Sequence, residues 1–190
     1  MAFRDSAAVD NSPMPCTSRP PPFVLIAIVA TTAACSPTLD WREARPEGGA
    51  ITVLLPCKPE RRTRQVVLAD ATTTVEVLAC EAGGTTWGVT SADVADAERI
   101  GPVMAAMRAA RAQNLDGRET EARPVQTRGT LFDSPPLRLK VEGRRPDGQP
   151  VTEHSLLFAY GSRVLHVAAI GGSPSERALE TFFDSLAPSR

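Results

Sequence analysis

The chain of 190 residues carries 21 Lys and Arg against 22 Asp and Glu, a formal charge of −1. So balanced a chain lacks the net basic face that holds a phosphate backbone, which argues against a nucleic-acid partner. With 42% apolar residues it can close a hydrophobic core, and its length after removal of a leader suits a single domain.

The first element in chain order is the apolar run Phe23-Val-Leu-Ile-Ala-Ile-Val-Ala-Thr-Thr-Ala-Ala-Cys35. As a helix its apolar part rises only about 18 Å, against roughly 30 Å for a bilayer core, so it reads as the h-region of a signal peptide and not as a membrane span. The residues Thr32-Ala33-Ala34-Cys35 resemble the lipobox of bacterial lipoproteins, departing from it only at Thr32, where Leu is usual. The resemblance implies that Cys35 is lipidated on sulfur and, after cleavage, becomes the acylated N-terminus; Ser36 in place of Asp then implies the outer membrane, facing the periplasm. Asp5 and Asp10 suit a signal n-region poorly, whereas a start at Met14 leaves a short basic one with Arg19. Residues 1–34 are thus expected to be the signal peptide, with Met14 a candidate initiator, and residues 35–50 a lipidated tether in which Trp41 is a single anchoring point.

From Ile51 the pattern becomes strand-like. Ile51–Leu55, Thr63–Ala69, Thr72–Cys80 and Thr85–Ser91 are rich in β-branched residues, with turn chemistry at Pro56–Pro59, Asp70-Ala71 and Gly83-Gly84, and four short strands in a row imply an antiparallel meander. Residues 97–113 place Ile100, Met104, Met107 and Arg111 on one helical stripe with Pro102 near the first turn, the methionines being core filling at that spacing. A polar stretch follows. Leu137, Leu139 and Val141 then alternate with Arg138, Lys140 and Glu142 as a half-buried strand, and Pro146-Asp147-Gly148 turns it back. Val151–Tyr160 and Arg163–Ile170, joined at Gly161-Ser162, are two further strands, the second apolar on both faces as a central strand is. Ser173-Pro174-Ser175-Glu176 reads as a capping box with Pro at the first helical position, opening a helix whose Leu179, Phe182, Phe183 and Leu186 close the core.

The order of four strands, helix, about four strands and helix, with Leu54-Leu55-Pro56-Cys57-Lys58-Pro59, Trp87-Gly-Val-Thr-Ser-Ala-Asp93, Gly161-Ser-Arg-Val-Leu-His166 and Leu179-Glu-Thr-Phe-Phe-Asp-Ser-Leu186, resembles the PsbP/Mog1-like superfamily over residues 51–187. It is also similar to lipoproteins of beta-proteobacteria. The resemblance implies an α+β domain, an antiparallel sheet of about six to eight strands in ββββ-α-ββββ-α order with helices packed on it. That superfamily includes accessory subunits of membrane complexes and a binder of a small GTPase, so it implies little chemistry.

Of the four cysteines, Cys16 lies in the leader and Cys35 carries the lipid. Cys57 and Cys80 remain in an oxidising compartment, where a disulfide is expected, with free buried thiols or a metal site completed by His154 and His166 as the alternatives. No nucleophile elbow, phosphate-cradling loop, dinucleotide fingerprint or zinc-protease helix motif occurs, and no cofactor is expected. His154 and His166 both fall in strands, where packing is the ordinary role; Glu119 and Glu121 are spaced to share one solvated strand face, and Asp93, Asp96 and Glu98 are explained by the dipole of the helix they precede. Two readings of function result. The favoured one is a non-enzymatic lipoprotein held to the membrane through Cys35 that docks on, or helps assemble, another envelope component, with an envelope protein as its expected partner. The other is a hydrolase or small-ligand binder whose site is assembled from distant residues, recognisable by a concave pocket gathering His154, His166 or Tyr160 with a carboxylate.

Overall fold

In the computed structural model the described residues are 38–47, 51–126 and 135–189. The apolar run expected to be a signal, Met14, Cys16 and Cys35 lie outside them. The chain runs β1 (Arg42–Ala44), β2 (Ile51–Leu55), β3 (Glu60–Leu68), β4 (Ala71–Ala82), β5 (Thr85–Asp93), a 3-10 turn at Ala97–Arg99, α1 (Ile100–Asn114), β6 (Arg118–Pro124), β7 (Leu137–Arg144), β8 (Pro150–Tyr160), β9 (Arg163–Ile170), α2 (Glu176–Asp184) and β10 (Ala187–Pro188). This is an α+β arrangement with the expected order of four strands, helix, four strands and helix, plus a short strand at either end.

Seven strands form one antiparallel sheet in the order β3-β4-β5-β9-β8-β7-β6. β9 stands at its centre, as its two-sided apolar sequence requires. Both edge strands are blunted by charge: β3 begins Glu60-Arg61-Arg62, and β6 reads Arg-Glu-Thr-Glu-Ala-Arg-Pro124. The expected meander holds for β3, β4 and β5 but not for β2. That strand leaves the large sheet and forms a three-stranded one with β1 and β10, because its Ile51, Val53 and Leu55 bury against the large sheet's face instead of extending its edge. Residues 42–44, expected in the tether, are therefore part of the fold. The turn before β4 also sits one residue earlier than expected, at Ala69 and Asp70, both with positive φ.

Period-2 alternation gives the large sheet two faces. On one, Leu78, Trp87, Val89, Leu156, Phe158, Leu165 and Val167 meet the small sheet and α2. Trp87 stands edge-on to Phe182 at 5.1 Å and to Trp41 at 5.9 Å, so Trp41 does anchor its segment. Phe182 and Phe183 are both buried, and the guanidinium of Arg138 lies 4.1 Å over the Phe183 ring. The Cys57–Cys80 disulfide, Cα atoms 5.9 Å apart, joins the turn after β2 to β4 and so fastens the small sheet to the large one. On the other face, Val75, Ala92, Leu139, Leu157 and Val164 pack against Val103 and Met107 of α1. Met107 is core as expected, while Met104 is only half-buried and Val103 takes its place in the stripe.

α2 starts later than the capping box implied. Ser175, not Ser173, is the cap, its Oγ accepting from the N–H of Ala178 at 3.2 Å. Gly171 and Gly172, both at positive φ, and the two residues after them are spent bringing the chain off β9, so the first free cap position falls at Ser175.

Candidate functional site

β6 shows how one extra residue decides where charges go. Glu119 pairs in register with Val141 and Glu121 with the adjacent Lys140, the mark of a bulge between them. The bulge turns the two carboxylates to opposite faces, so they do not share one, contrary to the expectation from their spacing. Glu119 meets α1, where Arg108 grips it with two hydrogen bonds of 2.7 and 2.5 Å, and this pairing holds its carboxyl below the usual carboxylate range. Glu121 is bound by Arg123 at 2.6 Å.

The remaining sequence candidates separate. His154 and His166 lie on opposite faces, since the alternation of β8 puts His154 with Leu156 and that of β9 puts His166 with Val164. Cys57 and Cys80 are bonded to each other, so the two-cysteine, two-histidine grouping does not converge. Asp96 caps the 3-10 turn by accepting from the N–H of Glu98 at 3.0 Å, and Asp93 pairs across the ladder with Arg163 at 3.4 Å. His154 is half-buried beside Lys140, Thr152 and the Gly171-Gly172 turn; burial, then the charges of Arg138 and Lys140, push its pKa down.

His166 is different. It is 2% exposed, and its Nε2 lies 3.0 Å from Oε1 of Glu153, itself 1% exposed. The register shows what this contact requires. His166 pairs with Leu157, and Glu153 pairs with Ile170 four residues along the ladder, a separation of about 13 Å at the usual strand rise. Both side chains must therefore run along the sheet toward each other, and the row between them is Gly88, Ala168 and Ser155, small enough to leave the room. Ser155 Oγ, fully buried, lies near the Glu153 carboxylate and helps to stabilise its charge without a hydrogen bond of normal geometry.

Burial pushes the His166 pKa down, against the pull of Glu153 and with the help of Arg111. Burial works to raise Glu153, but the hydrogen bond and charge of His166, with Arg111 and Ser155, outweigh it and hold the carboxyl below its ordinary value. For the pair, a neutral imidazole and an ionised carboxylate are the states consistent with both directions. An ionised carboxylate only accepts, so Nε2 carries the proton and Nδ1 is left as the ring's acceptor.

This histidine floors a half-open cleft of about 190 Å³ between α1 and the strands β3, β4, β5 and β9. Val66, Leu68, Val75 and Met107 make its apolar wall, with Thr90 beside His166 on the neighbouring strand and Arg64, Arg111 and Asn114 at its sides. A larger groove of about 410 Å³ lies on the opposite face, lined by Glu76, Asp93 and Arg163 among others. The cation that lines it is consumed: Arg163 binds Asp93, and the buried Glu76 is held by Arg61 and the N–H of Glu47. The smaller cleft is thus the better candidate, because its cations are not so consumed.

Sequence reasoning placed His166 on the sheet as a packed residue, favoured a solvated hairpin end over an anion site for Arg64 with Arg61 and Arg62, and missed Glu153 and Thr90. A signal for Glu153 was present: Val151, Glu153, Ser155 and Leu157 alternate on one face, so a carboxylate stands at an inward position and demands a partner. Nothing local could have chosen that partner. No family model matches the chain, and no curated protein matches it.

Proposed function

We propose that this chain is an envelope lipoprotein, tethered through lipidated Cys35 to the periplasmic face of the outer membrane, whose domain binds a small ligand in the cleft between α1 and the sheet. The tether is supported by the apolar run and its lipobox-like end. The order of four strands, helix, four strands and helix supports a PsbP/Mog1-like fold, whose resemblance to non-enzymatic accessory proteins favours binding over turnover. The hydrogen bonding of the histidine points the same way: among the described residues the His166 ring bonds only to Glu153, and no hydroxyl is hydrogen-bonded to it as a nucleophile would be.

One observation carries the ligand reading: His166, a neutral imidazole held by the buried, ionised Glu153, stands at the floor of a half-open cleft. Burying an ionised carboxylate costs several kcal/mol in desolvation, and apolar residues of similar volume generally serve a core as well or better. Its presence beside unfilled space favours a role in recognition. Docking by an apolar surface has less support. Among the described residues Val67 is the one large apolar side chain that is strongly exposed, at 72%, and a lone residue makes no patch.

Two measurements test the proposal. Cys35→Ser is expected to move the protein from the membrane to the soluble fraction, and unchanged partitioning would refute the tether. For the cleft, ring-sized fragments of neutral, cationic and anionic type are titrated while the Met107 methyl resonance is followed. Binding is expected to shift it and to vanish in Ala110→Trp, which fills the cleft from the half-buried side of α1. If no fragment of any charge moves the methyl, the cleft is not a ligand site.

A further inference from the structure

Arg64 on β3 and Arg111 on α1 both line the cleft. Among the described residues neither makes a side-chain hydrogen bond or an ion pair, whereas Arg61, Arg62, Arg108, Arg123 and Arg163 each close on a carboxylate. None of the residues that line the cleft is acidic; behind His166 lies Glu153, whose carboxylate is already engaged by that histidine, and Arg111 lies close enough to act on both. His166 stays neutral for the reasons given above. The site therefore holds two guanidinium charges against one carboxylate, an excess of one positive charge in a partly desolvated space. Such an excess is best matched by a monoanion.

Size and shape narrow the occupant further. A cavity of about 150 Å³ accommodates a benzene ring, and this cleft offers about 190 Å³. The wall of Val66, Leu68, Val75 and Met107 suits an apolar body of that size, and the guanidinium fork matches a planar carboxylate. Resting on the reading of the cleft as a ligand site, we infer that its ligand is a singly charged carboxylate with a compact apolar body, one ring or a short acyl chain, the carboxylate held by Arg64 and Arg111 and the body lying against Val75 and Met107.

The test uses the full chain carrying Cys35→Ser and matched probes: phenylacetate against phenylacetamide, hexanoate against hexanamide, and phenyl phosphate as the more highly charged control. Each is titrated against the Met107 methyl resonance. The anions are expected to bind about tenfold or more tightly than their amides, the difference a pair of charge-assisted hydrogen bonds supplies. Phenyl phosphate should bind no more tightly than phenylacetate. In Arg64→Gln and Arg111→Gln, both at positions with solvent access and confirmed as folded by thermal melts, the preference for the anion should fall to about threefold or less. Amides that bind as well as the acids would overturn the anion assignment while leaving the cleft a ligand site. A preference undiminished in both arginine variants would overturn the assignment of its holders, and tighter binding of phenyl phosphate would overturn the single charge. A methyl that no probe moves would remove the inference together with the ligand reading beneath it.

Discussion

The two faces of the seven-stranded sheet are covered in different ways. The α2 face is sealed by a second small sheet, a helix that buries two phenylalanines, and a disulfide that ties the covering layer down. The α1 face is covered by one helix, whose buried positions are only Val103 and Met107, and part of the sheet beside β3 is left open. Each face also buries a carboxylate, with opposite results. Glu76 on the sealed side is neutralised by Arg61 and a backbone N–H, a local closure of charge. Glu153 on the open side is reached by a histidine from another strand, with Arg111 nearby and still unpaired. The sealed face supplies stability, and the loosely covered face has room for chemistry.

The largest expected effect lies on the sealed face. Phe182→Ala removes a fully buried ring that packs on Trp87, and should cost about 3–5 kcal/mol, read from the urea midpoint at constant slope. A wild-type midpoint would show that α2 is not what seals this face. Next comes the tie between the layers. Replacing Cys57 and Cys80 by Ser, or reducing the bond, should cost roughly 3 kcal/mol by freeing the unfolded chain, and native thiol labelling of both cysteines would rule the bond out.

On the open face Met107→Ala should cost less, about 2 kcal/mol, the low end for such truncations because the side chain already borders unfilled space. A loss equal to that of Phe182→Ala would erase the distinction between the faces. The smallest effect is on pH. His166 and His154 have folded pKa values below the unfolded value of about 6.5, so the unfolded chain binds more protons and stability falls as pH drops below that point. Glu153, also lowered, has the same sign at more acid pH: its contribution is present above the unfolded carboxylate value and is lost as pH falls through the folded one. The urea midpoint should therefore decline from pH 7 to pH 5, and His166→Gln should flatten most of that slope, the remainder belonging to His154. A midpoint indifferent to pH over this range would mean that His166 is not a buried neutral base.

How much was legible in advance depended on the range of the interactions. The strands of the meander, the central place of β9, the half-buried β7 and the burial of Phe182 and Phe183 follow from periodicity, which acts within a few residues. The bulge in β6 was not legible, because its effect is measured against β7 and nothing in Glu119-Thr120-Glu121 announces it. Nor was the departure of β2 to the small sheet, since a short apolar strand can serve equally as a sheet member or as a lid. The site followed the same division. His166 could be assigned to the interior from its neighbours Val164 and Ala168, and Glu153 could have been. That the two meet across four residues of register, over Gly88, Ala168 and Ser155, is a property of how β5, β9 and β8 align.

The amino-acid sequence by itself determined the short apolar run that ends at Cys35, the alternation that builds the sheet, the pair of cysteines available for a bridge and the apolar stripe of the last helix, because each depends on residue types at short spacing. Only the tertiary structure decided which face each charge occupies, which arginines find carboxylates and which are left beside a cleft. Those outcomes turn on strand register and on how fully each face is covered, and register is fixed by contacts between segments far apart in the chain, which no local pattern encodes.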